Sequence, residues 1–210
     1  MTGKTGSTKG PKSYDRGYFD RWYRDRAQRV RDGAELRRKA ALAVAGAEHV
    51  LGRSVRNALD IGCGEARWRG ELLRVRPRLR YRGLESSDYA IERFGKSRNV
   101  SRGSFGELAG LGADTRFDLV ICTDVLHYLT DAEIDRGLPA FASLVRGVAY
   151  VDAAVREDDP EGALDGWHDR PASWYRRRLR RSGLIECGLG IWAPEEARLW
   201  LTELDQAESR

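Results

Sequence analysis

The stretch NALDIGCGEARW, Asn57 to Trp68, decides the fold of this chain. It begins as a short apolar run and ends on an acid, Asp60, followed by Gly62 and Gly64. A brief apolar run closed by turn residues reads as a buried strand. The residues beyond it, EARWRGELLRV, place Trp68, Leu72 and Val75 on one side of a helix that Glu65 opens and Pro77 stops. Strand, glycine turn and helix in this order are the first half of a βαβ unit, and the same alternation continues downstream.

RYRGLE reads as a second strand and DYAIERFGK as a second helix of the unit; NVSRGSF is a weaker third strand, and RFDLVICT a strongly apolar fourth. DAEIDRGLPAFASLV reads as a helix with an irregularity at Pro139, and GVAYVDA as a fifth strand. PASWYRRRLRRSG is a helix with Pro171 in its first turn and Gly183 at its end. LIECGLGIW reads as one strand. ARLWLTEL fits either period and is joined to it by the short APEE turn. Upstream, Tyr18, Phe19, Trp22 and Tyr23 mark one helix and residues 34–51 a second. The expected fold is α/β: a doubly wound, mostly parallel seven-stranded sheet with helices on both faces. An antiparallel hairpin forms its edge, and two N-terminal helices precede it.

With 210 residues the chain suits one domain. Residues 1–13 are polar and rich in Gly, Ser and Thr, and read as a disordered tail; residues 14–52 read as a helical cap. The N-terminus lacks the apolar stretch of a signal peptide, and no apolar run is long enough to span a bilayer. Cys63, Cys122 and Cys187 are scattered and odd in number, which argues against a disulfide framework; no Cys-x-x-Cys pair suggests a metal. A cytoplasmic protein without a metal is the expectation. The net charge of +5 comes mostly from arginines dispersed among acids, which makes no stripe for phosphates and argues against a nucleic-acid partner.

The turn itself selects the ligand. A dinucleotide fingerprint would need glycine where Arg67 stands. A pyrophosphate also wants positive potential at the helix start, whereas Asp60 and Glu65 flank this turn. Two carboxylates suit a ligand that carries positive charge, an ammonium or a sulfonium. ALDIGCGEA resembles the first motif of the class I S-adenosylmethionine-dependent methyltransferases, with Ala66 at the third glycine position. The resemblance covers residues 57–151 and implies S-adenosylmethionine as cofactor and residues 53–210 as the methyltransferase domain.

Glu85 follows Gly62 by 23 residues, near the ~20 expected for an acid that holds ribose hydroxyls. The resemblance gives it that role, with Ser86 beside it. It further implies that Ser104 stands where relatives often carry the acid that binds the adenine amino group. Phe105 then either packs on adenine or belongs to the core. The backbone at Cys122 and Thr123 would border the methionine part, with Asp124, His127 and Tyr128 near the mouth.

Methyl transfer needs alignment more than a dedicated catalytic group, and a general base helps only where the acceptor must lose a proton. His127 and His168 are the candidate bases. Trp167 shares the acidic loop of His168, and Asp152 ends the fifth strand. No Asn-Pro-Pro-Tyr, Asp-Pro-Pro-Tyr or Pro-Cys motif points to base methylation. The run Arg176 to Arg181 reads as the solvated face of an amphipathic helix. A small-molecule acceptor methylated on oxygen or nitrogen is the favoured reading. An RNA or protein methyltransferase and a non-catalytic S-adenosylmethionine-binding subunit are the alternatives, and a nicotinamide dehydrogenase a more distant one. Nothing in the sequence sets the oligomeric state.

Overall fold

A computed structural model of the chain describes residue 17 and residues 33–112, 114–159, 166–202 and 205–207. The tail at 1–13 and the aromatic helix expected around 18–30 lie outside the described residues. The second N-terminal helix is present as α1 (Gly33–Leu51). Its stripe of Leu36, Ala40, Ala43, Val44 and Ala47 is buried, the spacing expected of one helical face.

Seven strands follow: β1 (Asn57–Ile61), β2 (Arg80–Glu85), β3 (Val100–Arg102), β4 (Phe117–Thr123), β5 (Val145–Asp152), β6 (Leu184–Gly188) and β7 (Ile191–Pro194). They form one sheet in the order β3-β2-β1-β4-β5-β7-β6. β1 to β5 run parallel, while β7 is antiparallel to both β5 and β6. Helices α2 (Arg67–Val75) and α3 (Asp88–Arg98) join α1 on one face; α4 (Asp131–Leu144) and α5 (Ala172–Arg181) cover the other. The doubly wound expectation holds, because central strands such as β4, buried along nearly its whole length, need cover on both sides.

Two boundaries differ from the sequence reading. The edge hairpin lies inside LIECGLGIW: β6 and β7 are joined by a turn at Gly188, Leu189 and Gly190, all with positive φ. Glycines on both sides of one leucine close a tight reversal that an uninterrupted apolar period conceals. ARLWLTEL begins in a 3-10 segment, Glu195–Leu199, and adds no strand among the described residues. α2 also starts at Arg67, so Glu65 sits in the turn before the helix. Capping explains the other starts. The Ser87 hydroxyl accepts the Ala90 N–H at α3, and Thr130 and Glu133 form a capping box at α4, which continues through Pro139.

The amino ends of the strands are clamped by Asp118, which is fully buried. It accepts two bonds from Arg53 at 2.8 Å and the Arg56 N–H at 2.8 Å, with Arg146 at 3.4 Å. The opposite, carboxyl ends carry the site.

Candidate active site

Strand order reverses between β1 and β4, and a crevice forms beyond their carboxyl ends. β1 delivers its last residue, Ile61, level with Cys122 of β4, and the chain then turns sharply. Gly62 and Gly64 adopt φ of 67° and 53°. A Cβ on Gly62 would stand 2.2 Å from Val125 Cγ2, so the loop after β4 can lie against the turn only because this residue is bare. The Gly62 and Cys63 N–H groups both donate to Leu84 O, at 2.8 and 3.0 Å, which pins the turn to the end of β2. Ala66 is also left-handed, at φ 54°. The third position of the motif therefore needs an unusual backbone as well as a small side chain. Arg98 donates to Glu65 O beside it.

Glu85, at the end of β2, faces this turn and is buried. Its Oε1 accepts the Ser86 N–H at 2.8 Å, the Ser87 N–H at 3.0 Å and the Ser86 hydroxyl at 3.3 Å. Its Oε2 accepts the Gly64 N–H at 2.7 Å. A carboxylate oxygen has two acceptor sites, so Oε2 keeps one for a hydroxyl brought against the bare turn.

Asp60 behaves differently from its sequence reading. It is 1% exposed, and its Oδ2 accepts from the Tyr81 hydroxyl at 2.7 Å. Burial pushes its carboxyl up to about 7 against the pull of Tyr81, and the nearby Glu85 charge adds to the rise. Asp60 therefore lies sealed beneath the turn with its carboxyl raised, and Glu85 is the acid that faces the bend. Burial likewise pushes the Cys63 and Cys122 thiols up, so neither is a thiolate nucleophile.

On the far side, the loops after β4 and β5 meet. The Asp124 N–H, in a left-handed backbone, donates to Asp152 O at 2.9 Å. Lys39 of α1 reaches the Asp152 carboxylate at 2.7 Å and Glu35 at 2.8 Å. Trp68 donates to the Thr123 hydroxyl at 3.3 Å and packs on Tyr150. His127 is buried, and its Nδ1 accepts the Ala154 N–H at 3.1 Å, while its carbonyl accepts the His168 N–H at 2.8 Å. The two candidate histidines are thus neighbours, with His168 half-buried. Arg170 ties this region together: its guanidinium donates to Leu126 O, Leu129 O and Asp131, and lies over the Trp174 ring.

The model for "Methyltransferase domain" matches residues 59–147. The fold resembles Streptomyces venezuelae DesVI, at 15% identity over 77% of this chain and 91% of that one, with a TM-score of 0.58. It also resembles a SAM-dependent methyltransferase from Archaeoglobus fulgidus, at 15% identity over 80% and 75%, TM-score 0.58. A third likeness is to the plantazolicin methyltransferase BamL in complex with a substrate analog and SAH, at 14% identity over 75% and 68%, TM-score 0.59. A search of curated proteins finds no match. Residues 59–147 thus form a methyltransferase domain, on a fold shared with S-adenosylmethionine-dependent methyltransferases.

The bare turn and the acceptor site left on Glu85 fit this cofactor, which supplies an activated methyl group on a sulfonium. The structure brings Asp60, Gly62, Gly64, Glu85, Ser86, Cys122 and Thr123 together at the carboxyl ends of β1, β2 and β4. Ser104 lies beyond the end of β3, its N–H and hydroxyl both donating to Glu107 Oε2 at 3.1 and 2.7 Å. Phe105 is 2% exposed against Phe141, so the core alternative describes its surroundings. Among the described residues no group of three His, Cys, Asp or Glu could hold a metal, and no helix is long and apolar enough to cross a membrane.

Four residues of the methyltransferase's site were not visible in the sequence. Tyr81 reads only as a strand aromatic, and Lys39 only as an i,i+4 partner of Glu35. Glu107 stands three residues after Ser104, a spacing that signals a capping box and hints at its return to that position. Arg170 carries no local signal at all, because its partners come from elements about 40 residues away.

Proposed function

We propose that this methyltransferase acts on oxygen or nitrogen of a small-molecule acceptor. The observation that carries this reading is the state of the arginines around the acceptor loops. Arg156 is held by Asp169, Arg170 by Asp131 and backbone carbonyls, and Arg178 by Asp135. In the run 176–181, Arg176 and Arg180 also pair with Glu186. A mouth for RNA would keep such cations available for phosphates. What surrounds the crevice instead is aromatic: His127, Tyr128, Trp167 and Trp68. The likeness to the plantazolicin methyltransferase, seen with a triazolic desmethylPZN analog, agrees with such an acceptor.

In this reading Glu85 accepts the ribose hydroxyls, with Ser86 holding its other oxygen. Gly62 and Gly64 let the cofactor approach the backbone, and Asp60 supports the turn from below through Tyr81. Glu107, returned over Ser104, accepts from the adenine amino group, while Phe105 anchors that loop in the core. Cys122 and Thr123 border the methionine part with their backbone. Alignment of donor and acceptor supplies most of the rate, about 7–11 kcal/mol for well-oriented groups. Where the acceptor must lose a proton, His168 takes it. His127 is less suited, since charging its ring would displace the Ala154 N–H from Nδ1.

The deciding experiment offers S-adenosylmethionine with a panel of phenols, carboxylic acids and amines, and separately with RNA and unfolded protein. A mass gain of one methyl on a panel member supports the reading. Methylation of RNA or protein alone would overturn it. Calorimetry should show S-adenosylhomocysteine binding, with NAD giving no heat.

A further inference from the structure

The turn between β6 and β7 holds three consecutive residues with positive φ: Gly188 at 84°, Leu189 at 51° and Gly190 at 80°. Leucine is poorly suited to the middle position, because the left-handed region crowds its Cβ against the following carbonyl. Asn99, Asp124 and Asp159 share that region, but short polar side chains tolerate it. Leu189 is also 79% exposed, one of three large apolar side chains so exposed among the described residues. Neither backbone preference nor internal packing explains a leucine there. Strain combined with exposure points to use of the side chain from outside.

Its place in the sheet says what uses it. The Val151 N–H donates to Gly190 O at 2.8 Å. Val151 is level with Cys122, and Cys122 with Ile61, whose next residue opens the glycine turn. One row therefore crosses the carboxyl edge from the cofactor turn to the hairpin tip. A Cβ on Gly190 would meet the Tyr150 ring at 3.4 Å, and Tyr150 packs on Trp68, whose indole bonds Thr123. From Cys122 to Gly190 is two strand spacings, about 10 Å. The ion pair of Asp152 with Lys39 lies between.

We infer that Leu189 is a specificity-determining residue that forms the outer apolar wall of the acceptor site. The acceptor is an elongated apolar molecule, long enough to reach from the methyl position above β4 to the hairpin tip. This rests on the methyl-transfer reading of the crevice. An acceptor of one small ring would stop short of Leu189, while an extended one gains its apolar surface.

The test uses the full chain saturated with S-adenosylhomocysteine and titrated with N-phenyl-1-naphthylamine, a neutral, elongated, apolar fluorophore. Leu189→Asn keeps the left-handed turn and removes the apolar wall. It should weaken probe binding about tenfold, the scale of one leucine's contact area. Leu189→Met should restore it. Calorimetry should give the same affinity for S-adenosylhomocysteine in all three proteins. Equal probe affinity in Leu189→Asn and wild type would overturn the inference, as would a wild-type complex that ignores the probe. So would a dimer that Leu189→Asn converts to monomer, because Leu189 would then serve a second copy. Failure of the wild type to bind S-adenosylhomocysteine is a separate result, which removes the methyl-transfer reading itself.

Discussion

Asp60→Asn should make the protein's stability less dependent on pH. In the folded chain the Asp60 carboxyl is raised from its ordinary 3.8 to about 7, chiefly by burial. A folded-state value above the unfolded one means that the folded protein binds the extra proton. The stabilisation is complete below pH 4 and is lost as pH rises through 7. A gap of about three pH units corresponds to about 4 kcal/mol at most, at 1.36 kcal/mol per unit. Above pH 7 the wild type carries a buried carboxylate held by one hydroxyl, Tyr81 at 2.7 Å. Asparagine is neutral at every pH and can still accept from Tyr81. Its amide N–H₂ faces the Tyr81 hydroxyl, which already donates, and this adds a pH-independent cost of about 1–3 kcal/mol.

The quantity to follow is therefore the difference between the two proteins across pH, not its value at one pH. Urea unfolding from pH 4.5 to 8.5 measures it. Asp60→Asn should gain on the wild type with a slope of about 1 kcal/mol per unit up to pH 7 and then level off. Parallel profiles would refute the reasoning, because ionisation of Asp60 would then be uncoupled from folding.

Three further outcomes follow from the same structure. Glu85→Gln turns an N–H₂ donor toward one of the backbone N–H groups that both carboxylate oxygens now accept; affinity for S-adenosylhomocysteine should fall at least tenfold by calorimetry, and an unchanged value would move the nucleoside subsite elsewhere. Asp118→Asn leaves Arg53 without its bidentate partner at the amino edge and should cost about 3 kcal/mol in urea while leaving cofactor affinity intact. The Asp118 carboxyl is lowered, burial being outweighed by Arg53 and the Arg56 N–H, so its contribution is present above its unfolded value and lost as pH falls through the folded one. Ala66→Gly should raise the melting temperature by about 2 °C, since relief of the left-handed backbone exceeds the entropy of glycine by about 0.5–1 kcal/mol; a lower melting temperature would contradict it.

The sheet was legible because its signals are local. Buried parallel strands read as continuous apolar runs, and β1, β4 and β5 fall where those runs fall. The hairpin was misplaced because Cys187 to Trp192 keeps an apolar character across its own turn, and only the spacing of Gly188 and Gly190 betrays the reversal. The glycine turn and the acid beside it were legible for a related reason: the positions of Gly62, Gly64 and Glu85 at strand ends follow from spacing. The acceptor side was not, because Lys39–Asp152 and Arg170–Asp131 join residues 113 and 39 apart. No period in a sequence encodes such meetings.

The contrast between Asp60 and Glu85 shows how strand position sets the task of an acid. Both lie at strand ends, in adjacent strands, and within reach of one turn. Asp60 precedes the end of β1 by one residue and points to the face covered by α1–α3, where the Tyr81 hydroxyl donates to it. Glu85 is the last residue of β2, and three backbone N–H groups converge on it. Three backbone N–H groups saturate most of the Glu85 carboxylate, whereas burial beneath the turn raises the Asp60 carboxyl to about 7. In the proposed methyl-transfer reading, Glu85 is therefore the acid that faces the cofactor. Asp60 instead couples the rigidity of the turn to protonation. An exchange of the two environments, with Asp60 charged at pH 5 in the free protein by carboxyl NMR shift, would reverse that assignment.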